Sequence, residues 1–253
     1  MAKKPEEVIE ETTQSTAVVS WEDKLAQYAV QAAEEESNLG GKFLSLKAGR
    51  LTLDGVPCAQ NKLDVIVTAH TTEFAYYEGK YDPGNPKPPV CYAFGVDEQT
   101  MAPHEKASKP QNDNCFHCPK NQWGSDPEGG KGKACKNTRR LALIPADTVN
   151  DPEKIMAAEE IYVKLPVMSV KNWAKYVNDV AAQFRRPPFG VITTLSTEPD
   201  AKSQFKVTFN FKDKVPDNAI GQMVERHEAS AKSVGFPYPA ASDEAPVKES
   251  GKY

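Results

Sequence analysis

The longest run of strand-like character lies at residues 63–77, LDVIVTAHTTEFAYY, whose β-branched and aromatic residues predict the principal strand of the fold. Shorter runs predict strands at 43–47 and 50–53, the second closed by the turn pair Asp54-Gly55. Further strands are predicted at 90–95, 140–144, 160–165, 190–195 and 205–211. Helical spacing is more restricted. Trp21, Leu25, Tyr28, Ala29 and Ala32 recur at roughly helical intervals over 21–36, with Asn38-Leu39-Gly40-Gly41 as the stop. Ser169 stands as the N-cap of a helix running to Arg185, with Val170, Trp173, Val177, Val180, Ala181 and Phe184 on one face and Pro187-Pro188 ending it. A short turn or helix is predicted at 151–158 and a last helix over 217–233.

Between these elements the chain is polar. Residues 1–19 are rich in Glu and Thr and have no hydrophobic period, which predicts a disordered acidic segment. Residues 81–89 form a Pro-rich loop, and 236–253 read as a flexible C-terminal tail. There is no internal repeat. Short strands with hairpin spacing and interposed helices predict one α+β, β-rich domain over residues 20–235: a small β-barrel with peripheral helices and an inserted loop at about 100–137.

That loop changes the picture. Cys115 and Cys118 sit two residues apart, Cys135 follows in a stretch rich in Gly and Lys, and His104 lies upstream. A CxxC knuckle lets two thiolates chelate one ion from a tight turn, and a distant Cys and His can complete a tetrahedron. The loop itself is too polar to be held by a hydrophobic core. His104 is the expected fourth ligand, placed ahead of Cys91, which reads as a small buried hydrophobe in a strand, and of His117, which lies inside the knuckle. Four ligands make a closed site, so the expected role of the zinc is structural. No HExxH is present, no Glu stands in the deaminase relation to a His, and no Ser/His/Asp or paired-carboxylate motif stands out, so no enzyme activity is expected.

The 253 residues carry a formal charge of −4, but that average hides an asymmetry. Residues 1–36 hold nine acidic residues against three lysines, whereas residues 104–140 hold eight Lys/Arg against four Asp/Glu. Single-strand binders combine such basic surfaces with aromatic faces on which bases stack. The candidates are Tyr76, Tyr77, Tyr81, Tyr92 and Trp123 for stacking, with Lys120, Lys131, Lys133, Lys136, Arg139 and Arg140 for phosphates. Alternate residues of any strand face inward, so part of this aromatic set is core. The Gly130-Lys131-Gly132-Lys133 ribbon fails the GxxxxGK[ST] template, because Ala134 and Cys135 follow, and suits a phosphodiester backbone better than a nucleotide. No apolar run approaches a membrane span, and no signal-peptide core opens the chain, so the expected location is cytoplasmic. The clustering of the five cysteines favours metal over a disulfide framework there.

Cys115-x-x-Cys118-Pro119-x-Asn121-x-Trp123-Gly124-Ser125, then Gly130-Lys131-Gly132-Lys133-x-Cys135-Lys136 and Arg139-Arg140-Leu141, resemble a tailed-bacteriophage single-stranded DNA-binding protein with a zinc loop inserted in an OB-type barrel. Leu165-Pro166-Val167-x-Ser169-Val170-x-x-Trp173 and Arg186-Pro187-Pro188 fit the same likeness, which covers roughly residues 40–215. It implies an OB-like fold and the coating and protection of single-stranded DNA during phage replication or recombination, in the host cytoplasm. Replication or recombination enzymes would be its partners. Such proteins commonly end in an acidic tail that recruits partners, whereas residues 242–253 are nearly charge-balanced, so the acidic N-terminal segment is the expected substitute. Two other classes remain: an adaptor whose zinc loop docks on a replication or transcription enzyme, and a metal-dependent nuclease, which needs an open metal position or an acidic cluster.

Overall fold

The residues that predict the principal strand form one of fifteen residues, β4 (Lys62–Tyr76), and most of the fold is arranged along it. The computed structural model describes residues 42–79 and 87–238, together with Trp21, Lys24 and Leu25. The chain divides into two units, Met1–Leu39 and Gly40–Tyr253. The segment 1–19, most of the helix predicted over 21–36, Tyr81 and the end of the tail lie outside the described residues.

In the second unit the remaining strands are β1 (Lys42–Phe43), β2 (Thr52–Leu53), β3 (Val56–Pro57), β5 (Cys91–Gly95), β6 (Lys136–Pro145), β7 (Ile161–Leu165), β8 (Val191–Asp200) and β9 (Gln204–Lys214). The α-helices described there are α1 (Pro152–Ala157), α2 (Val170–Phe184) and α3 (Ile220–Ser233). No helix among the described residues is long and apolar enough to cross a membrane. Seven strands form one sheet in the order β1-β7-β6-β4-β8-β9, with β5 also paired to β4. The β1–β7 pair is parallel and the others antiparallel. β6 runs along one edge of β4, while the other edge takes β8 at Lys62–Val65 and β5 at Thr72–Tyr76. β2 and β3 form a separate hairpin whose turn residues, Asp54 and Gly55, both have positive φ, as a tight two-residue turn requires.

The alternation of β4 is interrupted once. A bulge between Val67 and Ala69 shifts the register against β6, and the Thr68 hydroxyl donates to the Ala142 carbonyl at 3.2 Å. One extra residue reverses which side chains face which side of the sheet. Before it, Val65 and Val67 join Leu141, Leu143, Val163, Leu165 and the α2 residues Trp173, Tyr176 and Val180 in the larger core. Ile66 packs on the other side with Ile144, Ile155 of α1 and Met223 of α3. Beyond the bulge it is Phe74, not Glu73, that faces the loop carrying the CxxC. Glu73 therefore points to the side where the chain after α3 returns.

The coarse expectation of a sheet-rich α+β fold holds, with helices on both sides of the sheet. β1 and β9 end the pairing path without joining each other, so hydrogen bonding does not close the sheet among the described residues. Ser169 precedes α2 as expected, but its hydroxyl makes no cap bond. It accepts instead from the Val207 amide at 2.9 Å, while Asn172 Nδ2 donates to the Val207 carbonyl at 2.9 Å. Both groups lie on the outer edge of β9, so the start of α2 covers an edge that could otherwise pair with another strand.

Candidate functional site

β5 ends at Gly95, shortly before the polar loop, and β6 starts at Lys136, directly after Cys135, so both ends of the loop are anchored in the sheet. The loop docks through Met101, which packs with Phe74, Ala93 and Cys115. Gly95 permits that approach, since a Cβ there would lie 2.8 Å from Met101 Cγ. The Cys115 amide donates to the Met101 carbonyl and the Cys135 amide to the Lys120 carbonyl, tying the knuckle to both flanks.

Two polar residues of the motif organise the interior of the loop. Asn121 is buried; its Nδ2 donates to the Cys115 carbonyl at 2.8 Å and its Oδ1 accepts from Lys133 Nζ at 3.2 Å. The Ser125 hydroxyl accepts from the Ala134 amide at 3.0 Å and donates to the Gln122 carbonyl at 2.6 Å. In the sequence both residues stand only as positions of the Cys115–Ser125 motif, with no role attached. Their signal was position alone: short polar side chains that can bond backbone groups inside a segment without regular structure.

Cys91, Cys115, Cys118 and Cys135 line one small cavity of about 20 Å³, together with Phe74, Ala93 and Lys120 among others. All five cysteines of the chain are free thiols. Burial, reinforced by neighbouring thiols, pushes Cys135 up to about 12 and Cys115 up to about 11, and burial raises Cys91 as well. Among the described residues, no three His, Cys, Asp or Glu side chains stand together as a group that could hold a metal ion.

His104 is elsewhere. Its ring stacks on Tyr92 with centroids 5.2 Å apart, and its Nδ1 accepts from the Lys106 amide at 3.1 Å. Successive residues of a strand face opposite sides, so the Tyr92 side of β5 is not the Cys91 side. This corrects the expected grouping: the structure gathers Cys91, not His104, with the other three cysteines. His117 lies against Phe116 on the exposed side of the knuckle.

The residues expected to touch nucleic acid divide into two groups. Trp123 is 79% exposed, with Lys133 Nζ 5.3 Å from its ring centroid. Lys131 and Lys136 are exposed, and Lys136 also pairs with Asp126 at 3.3 Å. Lys120 lies over the half-buried Tyr76 at 5.2 Å, and Tyr77 is partly exposed beneath Lys164 at 5.6 Å. Arg139 is half-buried and pairs with Glu98 at 3.3 Å.

Arg140 and Tyr92 do not present themselves to a ligand. Arg140 is 1% exposed, with Nε donating to Glu73 Oε2 at 2.7 Å and Nη1 to the Phe236 carbonyl at 2.8 Å. Its guanidinium lies 4.4 Å from the Phe94 ring centroid and 4.3 Å from that of Phe236. Lys164 Nζ reaches the other Glu73 oxygen at 2.6 Å and the Tyr238 hydroxyl at 2.8 Å; that hydroxyl also bonds Glu73. Burial alone would raise the Glu73 carboxyl, but Lys164 and Arg140 outweigh it and hold the group below its ordinary value. Tyr92 is buried in the same cluster, 5.1 Å from Tyr238 between ring centroids. The physical reason is the β4 bulge, which turns Glu73 to this side and makes a buried counter-ion for an arginine that sequence alone reads as surface charge. Tyr81 lies outside the described residues. No family model, no curated protein and no solved structure matches the chain.

Proposed function

We propose that this protein is a non-enzymatic single-stranded DNA-binding protein whose loop at about 100–137, held by a structural zinc, presents Trp123 and its lysines to the strand. The observation that carries the reading is the exposure of Trp123 beside Lys133, with Lys131 also exposed in the same loop, which is otherwise tied down by its own hydrogen bonds. A large indole left in water on a rigid support is a stacking surface, and base–aromatic stacking contributes about 1–3 kcal/mol per base without regard to sequence. The neighbouring ammonium groups supply the phosphate attraction. Lys120 over Tyr76 extends the same basic and aromatic surface toward the sheet.

The OB-type reading of the sheet is supported by β4, which is long, bulged, and shared between β8 at one end and β5 at the other. A strand divided in this way lets a sheet bend toward a barrel. The setting in phage replication or recombination, with enzymes of those processes as partners, follows from the motif resemblance. Binding is tested by following tryptophan fluorescence while oligo-dT is added. Substantial quenching is expected, with an affinity loss of about 5- to 150-fold in Trp123→Ala, the equivalent of one stacked base. Undiminished affinity in that variant, with unchanged melting, refutes the assignment of the loop to DNA.

The adaptor reading is favoured by a different observation: Phe116, 49% exposed, shares the loop with Trp123 and gives it apolar as well as basic character. Capture of a replication or transcription enzyme that survives DNase, with no measurable affinity for single strands, would select it.

A further inference from the structure

Four thiols converge on one cavity from three separate pieces of chain. Cys91 comes from the first position of β5, Cys115 and Cys118 from the knuckle, and Cys135 from the residue before β6. The rest of the cavity wall is mainly apolar, with Phe74 and Ala93 beneath, and its volume of about 20 Å³ suits one small occupant. Cys91 and Tyr76 are directly paired across the β5–β4 ladder, so the position of Cys91 is fixed by the sheet rather than by the loop.

We propose that Cys91, Cys115, Cys118 and Cys135 together bind one zinc ion as a tetrathiolate, with Cys91 in the place first expected for His104. This rests on the reading of the loop as metal-held and does not depend on DNA binding. Four thiolates around one ion is a common closed structural zinc arrangement, and the tetrahedron needs no ligand from outside the chain. The four thiols line the cavity but are not placed as a group that could hold an ion, so binding one requires them to close on it and to give up their protons.

Two features of the surroundings fit this assignment. His104 is engaged on the opposite side of β5, stacked on Tyr92 and bonded to the Lys106 amide. Zinc with four thiolates carries a net charge of −2, and cations stand nearby. Lys120 lines the cavity, and Lys133 is held by Asn121, whose own side chain bonds the Cys115 carbonyl. Hydrogen-bonded and charged groups around the ligands orient them and offset their charge. Lys120 and Lys133, the two half-buried lysines of the loop, thereby serve the ion, while Lys106, Lys109, Lys131 and Lys136 remain exposed.

A ligand from β5 also gives the ion a mechanical role. Ligands drawn only from the loop would close it on itself, whereas Cys91 ties it to the central strands. The ion then sets where Trp123 stands relative to the sheet.

The test uses the full-length chain purified with zinc. Metal analysis should give one zinc per chain, and X-ray absorption should read four sulfur scatterers at about 2.3 Å. Cys91→Ser should lose stoichiometric zinc, while His104→Ala should keep both the metal and the four-sulfur signal. Three sulfurs with one nitrogen, loss of zinc in His104→Ala, or no zinc taken up by fully reduced protein would overturn the proposal. The absorption spectrum of the unaltered protein decides the ligand set even if Cys91→Ser fails to fold. Single-strand affinity is measured on the same samples: a four-sulfur zinc protein that ignores DNA would remove the proposed function and leave this site standing.

Discussion

Glu73→Gln keeps the shape of the side chain and removes its charge, which makes it a direct probe of the buried cluster behind the sheet. In the protein as it stands, one carboxylate with no exposed side-chain surface faces Arg140 at 2.7 Å and Lys164 at 2.6 Å. The substitution leaves both cations without a counter-ion, and removing one partner of a buried pair costs about 3–5 kcal/mol. The glutamine carbonyl can still accept from Arg140, so the loss should fall near the lower end, at about 3 kcal/mol. For a chain of this size that corresponds to a fall in Tm of about 6–12 °C. Thermal melting at neutral pH measures it, with limited proteolysis reporting whether the chain around 234–238 loosens, since Arg140 also holds the Val234 and Phe236 carbonyls. The sign with pH follows from the lowered carboxyl. A carboxylate whose folded pKa lies below its unfolded value contributes stability that is full above the unfolded value, about 4.3, and is lost as pH falls through the folded one. The gap between wild type and Glu73→Gln should therefore narrow on acidification below about pH 4. Adding Arg140→Met should recover part of the loss, because an apolar replacement no longer needs a counter-ion. A Tm change under about 2 °C for the single variant, or a gap that widens in acid, would refute this reasoning.

Trp173→Ala should cost about 3–5 kcal/mol in urea unfolding, because the indole packs between His70, Tyr176 and Phe209 in the main core; a loss below about 1 kcal/mol would contradict that placement. Asn121→Ala should increase proteolysis within the loop while leaving the sheet intact by circular dichroism, since it removes bonds to Cys115 and Lys133; protection equal to wild type would remove Asn121 as its organiser. Lys131→Ala should reduce the salt slope of single-strand affinity by about 0.7, one phosphate contact, and an unchanged slope would place Lys131 off the strand. Chelation of the proposed zinc should lower Tm and weaken single-strand affinity together, and reloading should restore both.

The sheet was legible where each strand carries its own alternation. The runs at 63–77, 90–95 and 160–165 correspond to β4, β5 and β7 within a residue or two, and Trp173 and Val180 lie on the buried face of α2 as their spacing predicts. The bulge at Thr68 was not legible, because Thr-Ala-His continues the strand composition without a break. Its consequence reached the candidate site. Read without a bulge, β4 gives no reason to place Glu73 and Arg140 face to face, so Arg140 reads as a surface cation. His104 reads ahead of Cys91 as a ligand for a related reason. Composition describes Cys91 as a strand hydrophobe, and only the pairing of β5 on β4 places that strand over the cavity. The exposure of Trp123, Lys131 and Lys136 was legible because a mostly polar loop leaves many of its large side chains in solvent, whereas the half-burial of Lys120 and Lys133 depends on contacts that composition does not show.

The central claim is preferential binding to single strands, and the direct measurement is a titration of the zinc-loaded, full-length protein with oligo-dT and with duplex of equal length across a range of salt. The account predicts that the single strand binds more tightly at every salt concentration, with affinity falling linearly in the logarithm of salt as phosphate contacts release counterions. Equal affinity for the two forms, or no binding to either, would contradict it.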